Sequence, residues 1–182
     1  MRINLIPVKI KNHSLIEFIK KKLELIFNSE IIIDDIDLDL SQFFNESRNQ
    51  YYSTEIISSA IPLAENIEGK ALLLVDVDLF VPVFTYLFGE AQLNGKLSIV
   101  STFRLYEEFY TGRTDDKLFF QRVLKEVLHE LGHNFGLIHC EDWNCVMHSS
   151  AGIEEVDVKG EFYCKKCETS VNNSLSSPIN KL

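Results

Sequence analysis

The stretch from His129 to His148, HELGHNFGLIHCEDWNCVMH, constrains this chain more than any other part of its sequence. It contains four of the five histidines and two of the four cysteines. The apolar periodicity before it predicts a long helix over 115–135, and Gly136 is well placed to end that helix. Because residues four apart share one face of a helix, the stretch presents two histidines side by side at a helix end. It therefore predicts a zinc site there.

His129, His133 and His139 are the candidate ligands of a catalytic zinc. His129 and His133 stack one turn apart, which lets both imidazoles reach one metal ion. Gly136 lets the chain turn sharply and bring His139 up as the third ligand. Three protein ligands leave one position open for water, and Glu130 is placed to take a proton from that water as a general base.

A structural zinc site is the alternative for these histidines. In that arrangement a protein side chain fills the fourth position, and Cys140 is the obvious candidate because it follows His139. The chain would then be a zinc-stabilised binding or regulatory module with little or no hydrolytic activity. The presence of Glu130 favours the catalytic arrangement, since a closed site has no need of a base.

The four cysteines predict a second, structural zinc site. Cys140 and Cys145 enclose four residues, and Cys164 and Cys167 enclose two. Two such pairs joined by a loop are typical of a four-thiolate zinc site, so we expect two zinc ions per chain. The alternative is redox use of the second pair as a dithiol, which the lack of a thioredoxin-like strand before it disfavours.

The rest of the sequence predicts an α/β fold. Alternating strand-like and helix-like runs indicate a parallel sheet with crossover helices. The predicted strands are 2–8, 30–38 and 71–80, and the predicted helices are 14–27 and 49–60. Asn94-Gly95 between the runs 85–92 and 97–103 predicts a hairpin, and Gly89 marks a bulge or a close backbone approach.

The composition points away from nucleic acid and membranes. The formal net charge is −9 and the isoelectric point is about 5.0, whereas phosphate binding needs clustered Lys and Arg. No apolar run approaches the roughly 20 residues needed to cross a bilayer. The first residues are broken by Pro7, Lys9 and Lys11 and do not form a signal peptide. We therefore expect a cytoplasmic protein, and we expect it to be a monomer.

HELGHNFGLIHCEDWNCVM, followed by FYCKKC, resembles the archaemetzincins, a branch of the metzincin zinc peptidases, and the resemblance extends over most of the chain. It implies a metzincin-like α/β (α+β) fold, with a mixed twisted sheet, an antiparallel edge strand, a long active-site helix and a small zinc-stapled C-terminal part. It also implies that Met147 is the Met-turn residue beneath the three histidines. A peptide substrate would add to the edge strand at the rim of the cleft. The candidate substrate-binding residues are Phe88, Gly89, Glu90 and Ala91.

We therefore predict a zinc-dependent metalloprotease that hydrolyses peptide or protein substrates with a zinc-bound water activated by Glu130. Both aminopeptidase and endopeptidase action are compatible with the sequence. We divide the chain into a catalytic part over 1–139, a C-terminal part over 140–167 with the four-cysteine site, and a disordered tail over 168–182. His148 is predicted to be a partly exposed polar residue without a role in the chemistry.

Overall fold

A five-stranded mixed sheet forms the centre of the fold, in a computed structural model that describes residues 2–175 and 178–180. In chain order the strands are β1 Arg2–Val8, β2 Glu30–Ile33, β3 Phe44–Asn45, β4 Gln50–Tyr52, β5 Lys70–Val75, β6 Leu79–Phe80, β7 Gly89–Ala91 and β8 Leu97–Ser101. The helices are α1 His13–Phe27, α2 Ser53–Leu63, α3 Glu108–Thr111, α4 Asp116–Asn134, α5 Ile153–Val158 and α6 Lys165–Asn173.

The main sheet has the spatial order β2-β1-β5-β8-β7. The first four of these strands are parallel, and β7 pairs with β8 in the antiparallel sense. A smaller sheet has the order β3-β4-β6. The expected mixed sheet with an antiparallel edge strand is therefore confirmed, and in residues 2–175 and 178–180 the strand β7 pairs with β8 alone.

The central strands β1, β5 and β8 of the main sheet are buried on both faces, which explains their nearly continuous apolar sequences. Leu72 and Leu74 of β5 join the core cluster that contains α1 and α4. Leu73 and Val75, which point the other way, join the cluster that contains α2. Helices thus cover the sheet on both sides, and α4 is packed on the same side as α1.

Several predicted elements are confirmed, and others differ in their limits. The strand over 2–8 is found as predicted, and helix α1 begins one residue earlier than predicted, at His13, and is capped by Asn12. The predicted strand over 71–80 is divided, because its end turns away from the main sheet at two aspartates. Asp76 accepts a hydrogen bond from the hydroxyl of Thr102, and Asp78 forms an ion pair with Arg104, so both carboxylates serve the structure.

The predicted hairpin is also confirmed. β7 and β8 are antiparallel, and Asn94 in the turn between them has a φ of 53°, in the left-handed region that asparagine accepts. The predicted strand over 30–38 ends earlier, at Ile33, and the predicted helix over 49–60 begins later, at Ser53. Strand β4 occupies the residues just before that helix.

The prediction of a disordered tail from residue 168 is wrong for residues 168–173, which belong to helix α6. Cys167 and Val171 lie one turn apart on this helix and are both buried in the core, which gives the polar segment an apolar anchor. Further on, Asn180 donates two hydrogen bonds to carbonyls in the last turn of α1. The part of the predicted tail at 176, 177, 181 and 182 lies outside the described residues.

Within the described residues, none of the helices has the length and apolar character that crossing a bilayer requires.

Candidate metal centres and cleft

Helix α4 carries two histidines and a glutamate into a cleft. Its first turn is capped by Asp115, whose carboxylate accepts a hydrogen bond of 2.9 Å from the backbone N–H of Leu118. Its apolar stripe packs into the core and so fixes the rotation of the helix. The opposite stripe lines the cleft, at the spacing i, i+3, i+4 and i+7. It consists of Glu126, His129, Glu130 and His133.

Gly136 ends this helix as predicted. Its φ of 87° is in the left-handed region, and its backbone N–H donates to the carbonyl of His133. The chain then turns back toward the helix and brings His139 beside the other two histidines. The ligand nitrogens of His129, His133 and His139 all lie within 4.8 Å of one another. We call these three residues the histidine centre.

Hydrogen bonds orient the two helical imidazoles of the histidine centre. Nδ1 of His129 lies 2.8 Å from the carbonyl oxygen of Val146, and Nδ1 of His133 lies 2.7 Å from that of Leu137. A carbonyl oxygen only accepts hydrogen bonds, so each Nδ1 carries the proton. The two Nε2 atoms are therefore free of protons, and they converge to 3.1 Å from each other. This is the orientation that metal-bound imidazoles adopt.

The histidine centre fits a zinc ion. Burial lowers the pKa of His129 well below its ordinary value of 6.5, and burial also lowers the pKa of His133 and His139. All three imidazoles are therefore neutral, which is the form that binds metal. In the part of the chain that the structure describes, the cluster contains no fourth side-chain ligand. Three nitrogen ligands with an open position are typical of a catalytic zinc.

Glu130 lies against the edge strand. A Cβ atom on Gly89 would lie 2.6 Å from Oε1 of Glu130 and 2.8 Å from the carbonyl oxygen of Ile99. The close backbone approach that Gly89 predicts is therefore confirmed, and its partner is the glutamate of the motif. Burial raises the pKa of Glu130 well above its ordinary value, the charge of Glu126 adds to this, and the charge of Lys159 opposes it.

Met147 lies beneath the turn of α4 that carries the histidines. It is fully buried, and a Cβ atom on Gly132 would overlap its sulfur. Its carbonyl oxygen accepts a hydrogen bond of 2.9 Å from the backbone N–H of Cys140. The segment that contains Met147 therefore supports the helix from below and fixes the start of the cysteine-rich loop.

The four cysteines form a second cluster, which we call the cysteine centre. It contains Cys140, Cys145, Cys164 and Cys167, whose sulfur atoms lie within 4.8 Å of one another. All four are free thiols, and Sγ of Cys140 lies 3.8 Å from Sγ of Cys164. Cys140 therefore lies with the other cysteines. Burial raises the pKa of the Cys145 thiol to about 11 and also raises the pKa of Cys167. Four converging sulfurs are the ligand set of a structural zinc.

One peptide segment connects the two centres. The backbone N–H of Val146 donates a hydrogen bond of 2.8 Å to the carbonyl of Phe162, next to the Cys164 segment. The carbonyl of Val146 accepts the hydrogen bond from His129. The hydroxyl of Tyr163 also donates a hydrogen bond of 2.6 Å to the carbonyl of Leu128 in α4. The cysteine centre is thus joined to the helix that carries the histidines.

The cleft beside the histidine centre has a volume of about 840 Å³, a size typical of ligand sites. Its wall opposite α4 is mostly apolar and aromatic and leads into β7. The hydroxyl of Tyr86 in this wall donates a hydrogen bond of 3.2 Å to the carbonyl of Ala151 on the other side. The four candidate substrate-binding residues all line this cleft. They are Phe88, Gly89, Glu90 and Ala91.

The sequence gives little indication that two polar residues, Glu126 and Lys159, lie near the histidine centre. Glu126 and Lys159 are 3% and 2% exposed, and Lys159 Nζ lies 2.8 Å from Glu126 Oε1. The helical spacing of Glu126 relative to His129 places it on the cleft stripe, but no local pattern indicates Lys159. His148, in contrast, stacks on Trp143 at 4.1 Å and is partly buried against the cysteine-rich loop.

Comparison with known proteins agrees with this geometry. Residues 41–173 match the model of peptidase family M54. The chain is 41% identical to the archaemetzincin of Methanocaldococcus jannaschii over 92% of this chain and 90% of that protein. A crystal structure of archaemetzincin from Archaeoglobus fulgidus, complexed with malonate, superposes with a TM-score of 0.80 at 33% identity, covering 93% of this chain and 99% of the other. A zinc-dependent peptidase from Methanocorpusculum labreanum superposes with a TM-score of 0.83 at 28% identity, covering 93% and 100%.

Proposed function

Because the chain belongs to peptidase family M54, the archaemetzincin zinc metallopeptidases, we propose that it hydrolyses peptide bonds at the histidine centre with Glu130 as the general base. The observation that carries this proposal is the convergence of three imidazole nitrogens within 4.8 Å beside a buried glutamate and an open cleft. A purely structural site would have a fourth protein ligand and no need of a base.

The three imidazoles of the histidine centre hold the catalytic zinc. Zinc bound there supplies a Lewis acid that polarises the scissile carbonyl and lowers the pKa of water. The carbonyls of Val146 and Leu137 keep the two helical imidazoles in the ligand tautomer. This second layer of hydrogen bonds also fixes the directions in which both rings point.

Glu130 moves the proton. It takes a proton from the attacking water and returns it to the nitrogen of the leaving amine. Its position is set by helix α4 on one side and by the bare backbone of Gly89 on the other. Such confinement limits the carboxylate to the neighbourhood of the histidine centre, where the water and the scissile bond must meet.

The substrate binds as an extended peptide along β7. Among the described residues β7 pairs with β8 alone, so its other edge has no strand partner, and its residues line the cleft. A peptide that adds to this edge makes main-chain hydrogen bonds, and its alternate side chains enter the cleft. Glu90 helps to hold the strand, because its carboxylate accepts hydrogen bonds from the hydroxyls of Ser53 and Thr54 at the start of α2.

The cysteine centre holds a second, structural zinc, which brings the total to two zinc ions per chain. Cys140, Cys145, Cys164 and Cys167 would supply all four ligands of this ion as thiolates, with no position left for water. This ion joins the loop 140–145 to the segment 164–167, so that the part after residue 139 is a zinc-stapled unit beneath the catalytic part. Cysteines gathered in such a cluster rather than paired in disulfides suit a reducing compartment, and we place the protein in the cytoplasm.

Replacing Glu130 by Gln tests the proposed mechanism. We expect both zinc ions to be retained, because Glu130 binds neither, while peptide hydrolysis falls by about 10²- to 10⁴-fold through loss of the general base. Metal analysis and turnover of a diverse peptide library measure the two effects. Full activity of this variant would contradict the role of Glu130, and an inactive wild-type protein with both zinc ions bound would favour a binding module.

A further inference from the structure

The cleft extends beyond Glu130 to a second, unassigned acid. Glu126 lies one turn before Glu130 on the cleft stripe of α4, and it lines the same cavity as the histidine centre. It is only 3% exposed, so it lies in the interior of the protein rather than on the open surface. The proton transfers proposed above do not use it.

The carboxylate of Glu126 forms an ion pair with the buried ammonium group of Lys159. Nζ of Lys159 lies 2.8 Å from Oε1 of Glu126 and donates a longer hydrogen bond, of 3.4 Å, to the carbonyl of His148. Within residues 2–175 and 178–180, Lys159 is the one ion-pair partner of Glu126. Lys159 does not line the cavity, so the nearer charge seen from the cleft is the carboxylate.

Aromatic side chains line the same cavity as Glu126. Tyr86 packs edge-on against Phe88 with a centroid distance of 5.5 Å, and the guanidinium of Arg104 stacks on its other side at 4.1 Å. The Tyr86 hydroxyl donates a hydrogen bond to the carbonyl of Ala151 across the cleft. The cavity therefore presents both aromatic surface and the carboxylate of Glu126 to a substrate side chain.

We propose that Glu126 and Lys159 form the base of a specificity subsite for a long substrate side chain with an apolar stem and a hydrogen-bond-donating end, such as Lys, Arg or Gln. The inference rests on the proposed peptidase function. The stem packs on Tyr86 and Phe88, and the terminal N–H groups donate to Glu126, an interaction strengthened by its charge. Lys159 fixes the carboxylate and offsets part of its charge. Acidic side chains are excluded by repulsion from Glu126.

The test uses two matched peptide sets that vary the residue on one or the other side of the cleaved bond. Each set carries Lys, norleucine or Glu at that position. The length of the side chain then changes little, while its end group is an ammonium, a methyl group or a carboxylate. For the zinc-loaded wild type, we expect kcat/KM for Lys to exceed that for Glu by at least about tenfold at one of the two positions. Equal values at both positions would overturn the subsite.

Two variants should shift this ratio in opposite directions. Glu126→Gln leaves the ammonium of Lys159 without a counter-charge, so the preference should reverse to Glu over Lys. Lys159→Met leaves the carboxylate uncompensated, so the preference for Lys should increase beyond that of the wild type. Equal losses for all three peptides in both variants would assign the pair to structure alone and overturn the proposal.

Two further variants guard against effects on folding or on total charge. The double variant Glu126→Leu/Lys159→Met removes both charges at once, which buried ion pairs often tolerate, and it should prefer norleucine over both charged residues. Glu107→Gln removes one acid from another ion pair, with Arg122 at 2.8 Å, away from the cleft. It should leave the ratio of Lys to Glu unchanged, and a changed ratio there would count against the subsite.

Peptide binding separates failure of the subsite from failure of the proposed function. Affinities of the same peptides are measured by calorimetry in the zinc-loaded Glu130→Gln protein, with and without Glu126→Leu. Tighter binding of Lys than of Glu peptides, lost with Glu126→Leu, supports the subsite even if the wild type cleaves none of them. Cleavage without any preference, together with equal affinities, would retain the peptidase and reject the subsite.

Discussion

The last residue of the histidine centre, His139, directly precedes the first residue of the cysteine centre, Cys140, yet the two centres differ in their ligands and in their access to solvent. The histidine centre offers three nitrogens and opens onto a cleft of about 840 Å³. The cysteine centre offers four sulfurs, two of them buried, and borders no such cleft in the described part of the chain. The number of ligands and the access to solvent, rather than sequence proximity, separate a site for chemistry from a site for stability.

The two centres are nevertheless not independent. Because Cys140 directly follows His139, loss of a metal from the cysteine centre would displace His139 through the shared loop. The structure adds a second route, because the carbonyl of Val146 orients His129 while its N–H is held by Phe162. The cysteine centre therefore supports two of the three histidines, one at each end of the loop.

The sharpest way to test the difference is to remove one ligand from each centre. Cys164→Ser should release the structural zinc and lower the melting temperature by about 10 °C or more, because that metal contributes directly to folding. His139→Ala should abolish activity but lower the melting temperature much less. Differential scanning calorimetry and zinc analysis measure both. A larger loss of stability in His139→Ala would contradict the assigned roles.

Cys164→Ser also tests the connection. Through the Val146 peptide, we expect the affinity of the histidine centre for zinc to fall by about 10- to 100-fold, as for other changes in the support of metal ligands. Competition with a chelator measures that affinity apart from activity. An unchanged affinity would show that the two centres act independently.

A second test concerns the contact between Glu130 and Gly89, which does not involve the cysteine centre. Gly89→Ala inserts a methyl group where the carboxylate of Glu130 and a β8 carbonyl already lie. We expect zinc content to be retained and kcat to fall by about 10²-fold, since small displacements of a catalytic group are costly.

Gly112→Ala is the matched control for Gly89→Ala. Gly112 has a φ of 69°, and a Cβ there would meet nothing within 4 Å. Its replacement should therefore lower stability through backbone strain and leave kcat as it is. Equal kcat values for Gly89→Ala and the wild type would show that the edge strand has room to adjust.

In the metal-free protein, the two centres should change the free energy of unfolding with pH in opposite directions. Burial depresses the pKa of His129 below 6.5, so the unfolded chain binds more protons and stability is lost as pH falls below about 6.5. Burial raises the pKa of Cys145 from 9.0 to about 11, so stability is lost as pH rises through that range. Urea unfolding between about pH 5 and pH 10 should therefore show a maximum between these limits. A free energy of unfolding that only rises or only falls over this pH range would contradict the prediction.

The smallest expected effect concerns the hydrogen bond between Tyr163, which is next to Cys164, and Leu128 in helix α4. Tyr163→Phe removes the hydroxyl that donates to the carbonyl of Leu128, and we expect a loss of about 1 kcal/mol in the free energy of unfolding. Zinc content at both centres should be unchanged, since the shared Val146 peptide remains. Loss of zinc from either centre in this variant would assign the main connection to Tyr163.

Sequence reasoning was most successful where neighbours in the chain determine the geometry. The i, i+4 spacing of His129 and His133 specifies their common face, and Gly136 specifies the turn that follows. Asn94-Gly95 likewise predicted the antiparallel edge strand. The prediction failed at 168–173, where two apolar residues in a polar segment were too weak a local signal for α6, and burial against the core decided the outcome.

The sequence by itself determined the two sets of candidate metal ligands and the helix that presents the first of them, because spacing along a helix or within a short loop sets those distances. Only the tertiary structure decided that Gly89 lies against Glu130, that Val146 connects the two centres, and that Lys159 reaches Glu126. Each of these contacts joins residues that are far apart in the chain, so no local pattern could indicate it. Packing of whole elements against one another fixes such contacts, and no short sequence motif specifies that packing.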